Sequence, residues 1–176
     1  RLVARAAGRT YWREVAAGSG YKSQSSYRQH IGVGNAATVE EIVAVFPRAG
    51  ELAPAVRVLR SVPTNAAWPV WPPESLGDAD GDGVRTDLDR TVVAGLVGSA
   101  CVPSLARLDL DGDSDIAEAD LDEFDRVQCD LDGDGAVGPR DLVILLSNLG
   151  GPRADFDGSG TTDQTDLARL LSRWSR

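Results

Sequence analysis

Aspartates stand on alternate residues at Asp130, Asp132 and Asp134, and a fourth follows at Asp141. With Asp130 as position 1 of a loop, these carboxylates occupy positions 1, 3, 5 and 12. Gly135 falls at position 6, where a sharp turn needs a positive φ. Ala136 at position 7 can offer a backbone carbonyl, and Val137 at position 8 is apolar. Oxygen donors gathered on alternate residues suit a hard divalent cation, and a flexible twelve-residue loop suits calcium in particular. Leu142, Leu145, Leu146 and Leu149 follow at i, i+3, i+4 and i+7, which predicts a helix carrying the closing carboxylate on its first turn.

The pattern recurs three times more. Asp78, Asp80, Asp82, Gly83 and Asp89 precede Val93, Ala94 and Val97; Asp109, Asp111, Asp113 and Asp120 precede Leu121 and Phe124. Asp155, Asp157, Ser159, Gly160, Thr161 and Asp166 precede Leu167, Leu170, Leu171 and Trp174. Successive starts at 78, 109, 130 and 155 lie 31, 21 and 25 residues apart, room for a loop, a short helix and a connector. The copies depart from one another in places. Ser114 replaces the position-6 glycine and needs a strained conformation or a distorted turn. Arg85 takes the apolar position 8, and Ser159 stands at position 5, where Asp163 at position 9 adds a carboxylate to the loop. Asp–Gly clusters also make solvated turns, but four copies with helices in register favour cation loops. Carboxylates so close resist ionising together. A divalent ion reverses that repulsion, and its binding free energy becomes folding free energy. Helices of about 8–10 residues do not persist alone, so this half is expected to be poorly ordered without metal. Pairing of loop 78 with 109 and of 130 with 155 is expected to bury Leu142, Leu145, Leu146, Leu167, Leu170, Leu171 and Trp174 together.

Charge divides the chain. Residues 1–74 hold 9 Lys+Arg against 5 Asp+Glu, and residues 75–176 hold 9 against 22. The acidic half repels polyanions, which argues against nucleic acid as a partner. The given residues include no membrane-length apolar stretch, and none of them is expected to be a signal peptide. With no Met in the chain, Arg1 is not a natural start, and a monomeric fragment of a longer protein is expected. Pro72-Pro73 and the linker through Gly77 separate a domain at 1–73 from one at 78–176. The expected class is α+β in two domains: an N-terminal antiparallel β sandwich or barrel, and a C-terminal all-α array of loop-helix units. Candidate strands are Leu2–Ala6 and Thr10–Val15 around an Ala7-Gly8 turn, Tyr27–Ile31, Glu41–Phe46, Val56–Val62 and an edge segment at Trp68–Trp71.

The N-terminal run carries Gly18, Gly20, Tyr21, Ser23 and Gln24, then His30, Gly32, Val33 and Gly34, then Phe46-Pro47. It resembles the ASPIC/UnbV domain over about residues 1–72. Members of that family typically follow β-propeller repeats in secreted or surface proteins, so the resemblance implies a location more than a reaction. His30 is the only histidine. No acid partner accompanies it, and its expected role, with Gln24, is to hold the glycine loops by hydrogen bonds. Tyr21, Tyr27, Trp12, Trp68 and Trp71 offer either sheet cover or a sugar-binding face.

Residues 78–176 resemble type I dockerins and the EF-hand. The resemblance implies side-chain calcium ligands at Asp78, Asp80, Asp82 and Asp89; Asp109, Asp111, Asp113 and Asp120; Asp130, Asp132, Asp134 and Asp141; and Asp155, Asp157, Ser159 and Asp166. Backbone ligands would come from Val84, Asp115, Ala136 and Thr161, for about three to four Ca2+ in all. The chain departs from a dockerin in having four loops rather than two. Its residues at positions 10 and 11 (Asp87-Leu88, Glu118-Ala119, Pro139-Arg140 and Gln164-Thr165) are not the Ser-Thr at which cohesin is recognised. A calmodulin-type switch needs a Met-rich groove, so the calcium is expected to be structural. In the oxidising compartment that these resemblances imply, Cys101 and Cys129 form a disulfide closing about 27 residues, worth roughly 3–4 kcal/mol; otherwise they are two unrelated thiols. The expected function is a non-catalytic, secreted or cell-surface calcium-binding interaction or adhesion module with an extracellular protein or glycan partner. The alternatives are a true dockerin binding a cohesin-like partner, and an accessory carbohydrate-binding region of an extracellular enzyme. Nearly every clustered carboxylate already has a ligand position, leaving no acid pair for glycan hydrolysis.

Overall fold

The computed structural model describes residues 1–15, 27–47 and 54–175. The chain forms two compact units. One comprises Arg1–Pro73 with Val102–Ala106 and Gly112–Ser114; the other comprises Glu74–Cys101, Arg107–Asp111 and Asp115–Arg176.

The first unit holds a four-stranded antiparallel sheet of β1 (Leu2–Ala6), β2 (Arg9–Arg13), β3 (Thr38–Phe46) and β4 (Ala55–Pro63), in the order β2-β1-β3-β4. Ala7 and Gly8 join β1 to β2 with φ of 49° and 70°. Two positive φ values in a two-residue loop match the right-handed twist of the strands they connect. Inward residues alternate along β4 at Ala55, Arg57 and Leu59, then jump to Val62. The phase slips at Ser61, whose φ of 54° rotates the strand. Ala4, Ala6, Val39, Leu59 and Val62 form the core of the sheet face.

Neither Tyr27–Ile31 nor Trp68–Trp71 forms a strand, and the described residues of this unit make one sheet rather than a sandwich or barrel. The physical reason is visible in the packing: Ile31, Val33, Trp68 and Val70 cover the sheet from irregular segments, so side chains on loops occupy the place of a second sheet. Trp68 is fixed there by a 3.1 Å bond from Nε1 to the Pro63 carbonyl.

The second unit contains α1 (Asp87–Leu96), α2 (Glu118–Cys129), α3 (Pro139–Ser147) and α4 (Gln164–Ser172). It is not all-α, because β5 (Ser99–Ala100) pairs antiparallel with β6 (Asp115–Ile116). All four helices begin at position 10 of their loops, and in each the closing aspartate is the third helical residue. Helix α1 packs against α2 and α3 against α4, the expected pairing. Segments that follow one helix bond position 8 of the paired loop. Gly98 N–H donates to the Ile116 carbonyl, Gly150 N–H to Thr162, and Ser175 N–H to Val137. Cys129, Val137, Leu145, Ala154, Phe156 and Leu170 form the core around α3 and α4, with Leu142, Leu167 and Trp174 packed on it. Leu146 and Leu171 do not join it; they are 45% and 50% exposed. Helix α3 ends at Ser147, so it presents a narrower apolar face than the leucine spacing suggests. Among the described residues no helix is long and apolar enough to cross a membrane.

Candidate metal centres

Each loop brings three carboxylates together. Ligand oxygens of Asp78, Asp80 and Asp89 lie within 4.8 Å of one another, as do those of Asp109, Asp111 and Asp120; of Asp130, Asp132 and Asp141; and of Asp155, Asp157 and Asp166. These are positions 1, 3 and 12 every time. The helices place the closing member. Asp89, Asp120, Asp141 and Asp166 are no more than 1% exposed.

Backbone N–H groups orient each closing carboxylate. Its Oδ1 accepts from position 2 at 2.7 Å (Ala79 to Asp89), 2.5 Å (Leu110 to Asp120), 2.6 Å (Leu131 to Asp141) and 2.7 Å (Phe156 to Asp166). Its Oδ2 accepts from position 9 at 2.7–2.8 Å, from Thr86, Ala117, Gly138 and Asp163. The same aspartate therefore closes the loop and caps the helix N-terminus, where orphan N–H groups and the helix dipole favour an anion.

Position 1 is held by the loop's own turn. Gly83 and Gly135 N–H donate to Asp78 Oδ2 and Asp130 Oδ2 at 3.1 and 2.9 Å, and Gly160 to Asp155 Oδ2 at 2.6 Å. These position-6 glycines have φ of 90°, 95° and 96°. Ser114 adopts the same region at φ 78° rather than reshaping the turn. Within the first unit its hydroxyl donates to the Arg60 carbonyl.

The expected position-5 ligands stand apart from the three-carboxylate clusters. Asp82 and Asp134 accept the position-7 N–H of Val84 and Ala136 at 2.7 and 2.9 Å, and Asp113 is likewise outside the clusters. Ser159 donates its hydroxyl to the Thr161 carbonyl at 3.1 Å, which ties two expected ligands of that loop to each other. Asp163 is an N-cap, accepting from Thr165 N–H at 2.6 Å, and adds no carboxylate to the cluster. Asp115 lies in β6.

Fixed cations differ between loops. Arg107 Nη2 donates to Asp78 Oδ2 at 2.6 Å, with its Nε on the Ser75 carbonyl at 2.8 Å. Arg126 and Arg140 come no closer than 3.9 and 4.0 Å to Asp130 and Asp132. Arg85, at the apolar position 8, turns its guanidinium to the carbonyls of Leu76 and Glu74. Burial pushes the Asp130 carboxyl above its ordinary value. The Ser159 N–H holds the half-buried Asp157 below it.

The donor set tests which ion fits. Every cluster is made of carboxylate oxygen, with no His or Cys. That excludes the usual preferences of zinc and copper and suits a hard cation. Like charges this close cost on the order of 1–3 kcal/mol per pair between water-like and protein-like dielectrics. A divalent ion would relieve that cost.

Spacing located the four clusters but not the groups that orient them. Neither the position-9 N–H donors nor Arg107 belongs to the alternating pattern. Thr86-Asp87-Leu88-Asp89 does carry a readable helix-capping pattern; the long-range partners carry none.

Cys101 and Cys129 are both buried and are not joined, so the expected disulfide is not formed. Cys129 lies in the apolar core with Val137, Leu145 and Leu170, and burial pushes its thiol up to about 12. His30 is exposed. Gly18, Gly20, Tyr21, Ser23 and Gln24 lie outside the described residues. Trp12 and Tyr27 are 67% and 68% exposed.

No curated protein and no solved structure matches the chain. The family model of ASPIC and UnbV matches residues 1–75, so this N-terminal part of the chain is similar to that family.

Proposed function

We propose that the second unit is a calcium-stabilised, non-catalytic interaction module of a secreted or cell-surface protein, in which about three to four calcium ions serve as structural parts. One observation carries the reading: the same three carboxylates, at positions 1, 3 and 12, converge in all four loops, each at a helix N-terminus. Asp78, Asp80 and Asp89 would hold one ion, and the equivalent residues of the other loops the rest. Val84, Asp115, Ala136 and Thr161 carbonyls and the position-5 side chains would supply further oxygens. The bound ion supplies positive charge that stabilises the helix-start carboxylates, and no reaction follows from it. Exposed Val143 and Leu146 on α3 and Leu171 on α4 offer apolar surface to an extracellular protein partner.

The deciding experiment is a calcium titration of the EDTA-treated chain, followed by calorimetry and far-UV circular dichroism. Helix gained as about three or four ions bind supports the reading. No binding at millimolar calcium, with helix already present, overturns it.

A further inference from the structure

We propose that the loops at 78 and 155, which belong to different helix pairs, take up calcium as a coupled pair through the Phe156 carbonyl. This rests on the calcium reading above and adds to it a route between sites.

Phe156 is position 2 of its loop. Its N–H donates to Asp166 Oδ1 at 2.7 Å, so the residue is fixed by the closing carboxylate of loop 155. Its carbonyl accepts from three separate elements: Asp87 N–H at 3.1 Å, Gln128 Nε2 at 2.9 Å and Arg169 Nη1 at 3.2 Å. Asp87 is position 10 of loop 78, the first residue of α1 and two residues before the closing Asp89. Arg169 also clamps the Asp87 carboxylate with two bonds of 2.6 and 2.8 Å. Gln128 completes the bridge. It is 4% exposed, belongs to neither cluster, and also donates to the Arg85 carbonyl of loop 78 at 2.8 Å. Its Oε1 accepts from Arg169 Nη1 at 3.3 Å.

A buried amide with every group engaged is stable only while all its partners are in place. Both loops supply partners. When loop 155 folds around its ion, Asp166 fixes Phe156, and Phe156 presents the acceptor that α1 and Gln128 need. When loop 78 folds, Asp89 fixes the start of α1 and delivers the Asp87 N–H. Each ion therefore prepares the other site, and the coupling is reciprocal.

Gly83 and Gly160 report the two sites separately, since each donates its N–H to the position-1 carboxylate of its loop. The test follows their amide resonances, with Gly135 as the reporter of loop 130, through calcium titrations of the full chain. In the wild type, Gly83 and Gly160 should share one midpoint. Gln128→Leu leaves all ligands intact and should separate those midpoints by about tenfold, while Gly135 continues to move with Gly160. Unchanged midpoints overturn the coupling. Should Gln128→Leu lose its helix in calcium, Asp166→Asn decides instead. Disabling loop 155 should move the Gly83 midpoint to about tenfold higher calcium, and an unmoved midpoint overturns the proposal. If none of the three glycines responds up to millimolar calcium, the calcium reading itself fails, a result distinct from separate but intact binding.

Discussion

The closing aspartates do two jobs that separate on mutation. Asp141 accepts N–H groups of Leu131, Asp132 and Gly138 with its two oxygens. Replacing it by Asn puts an amide donor where a backbone donor already points. We expect Asp141→Asn to lower the calorimetric stoichiometry by one ion. It should also cost about 1–3 kcal/mol in thermal unfolding measured in saturating calcium, because a buried N–H is left unsatisfied. Asp134 at position 5 is exposed, so Asp134→Asn should weaken binding at that loop with a smaller stability change. Equal effects of the two variants would show that the capping role is idle. At Asp78 the modulator is Arg107. A unit charge a few ångströms from a divalent ion costs on the order of 1–2 kcal/mol even in a water-like dielectric. Arg107→Gln should therefore tighten calcium at loop 78 by about tenfold, read from the Gly83 amide, whereas Arg107→Lys should not. Affinity that falls in Arg107→Gln would mean that the guanidinium is needed to orient Asp78. The alternating aspartates made positions 1, 3 and 12 legible from sequence alone. Arg107 was not legible, because its role depends on a contact 29 residues away.

At the level of elements, the loop spacing fixes where each helix starts, and the helix length decides what it buries. The i, i+3, i+4, i+7 leucines of α3 suggest a broad apolar stripe, yet the helix stops at Ser147 and only Leu145 is fully enclosed. A nine-residue helix with one fully enclosed leucine buries a seam rather than a face. Leu145→Ala should therefore cost about 2–5 kcal/mol, whereas Leu146→Ala, at 45% exposure, should stay within about 0.5 kcal/mol. Thermal denaturation in calcium measures both, and similar losses would place Leu146 in the core after all. In the sheet, the β1–β2 hairpin could be read from Ala7-Gly8 between alternating residues. The missing strands at Tyr27–Ile31 and Trp68–Trp71 could not. Ile31, Trp68 and Val70 do pack on the sheet, as expected of strands, but from irregular backbone, and apolar content alone does not distinguish the two.

For the whole molecule, the question is whether metal and core are one folding event. Cys129 is a built-in reporter. It lies at the end of α2, next to Asp130, with its side chain among Val137, Leu145, Phe156 and Leu170. Its thiol is raised from 9.0 to about 12 by burial. A group raised on folding contributes stability that is fully present below its unfolded value and is lost as pH climbs through the folded one. The contribution of Cys129 is thus intact up to about pH 9 and declines between there and about pH 12. The thiolate is the reactive form, so at pH 8 in calcium the buried, protonated thiol should react slowly with an aromatic disulfide reagent. Chelation with EDTA should release the core, because loop 130 and the cluster around Cys129 lose the ion that offsets their carboxylates. Both cysteines should then titrate at pH 8, at least about tenfold faster than in calcium. Two thiols found only after chelation would establish that calcium holds the core closed. Two thiols reacting equally fast in calcium and in EDTA would mean that the core closes without metal. No thiols, even in denaturant, would mean that Cys101 and Cys129 are joined in solution and that the packing around Cys129 differs from that described here.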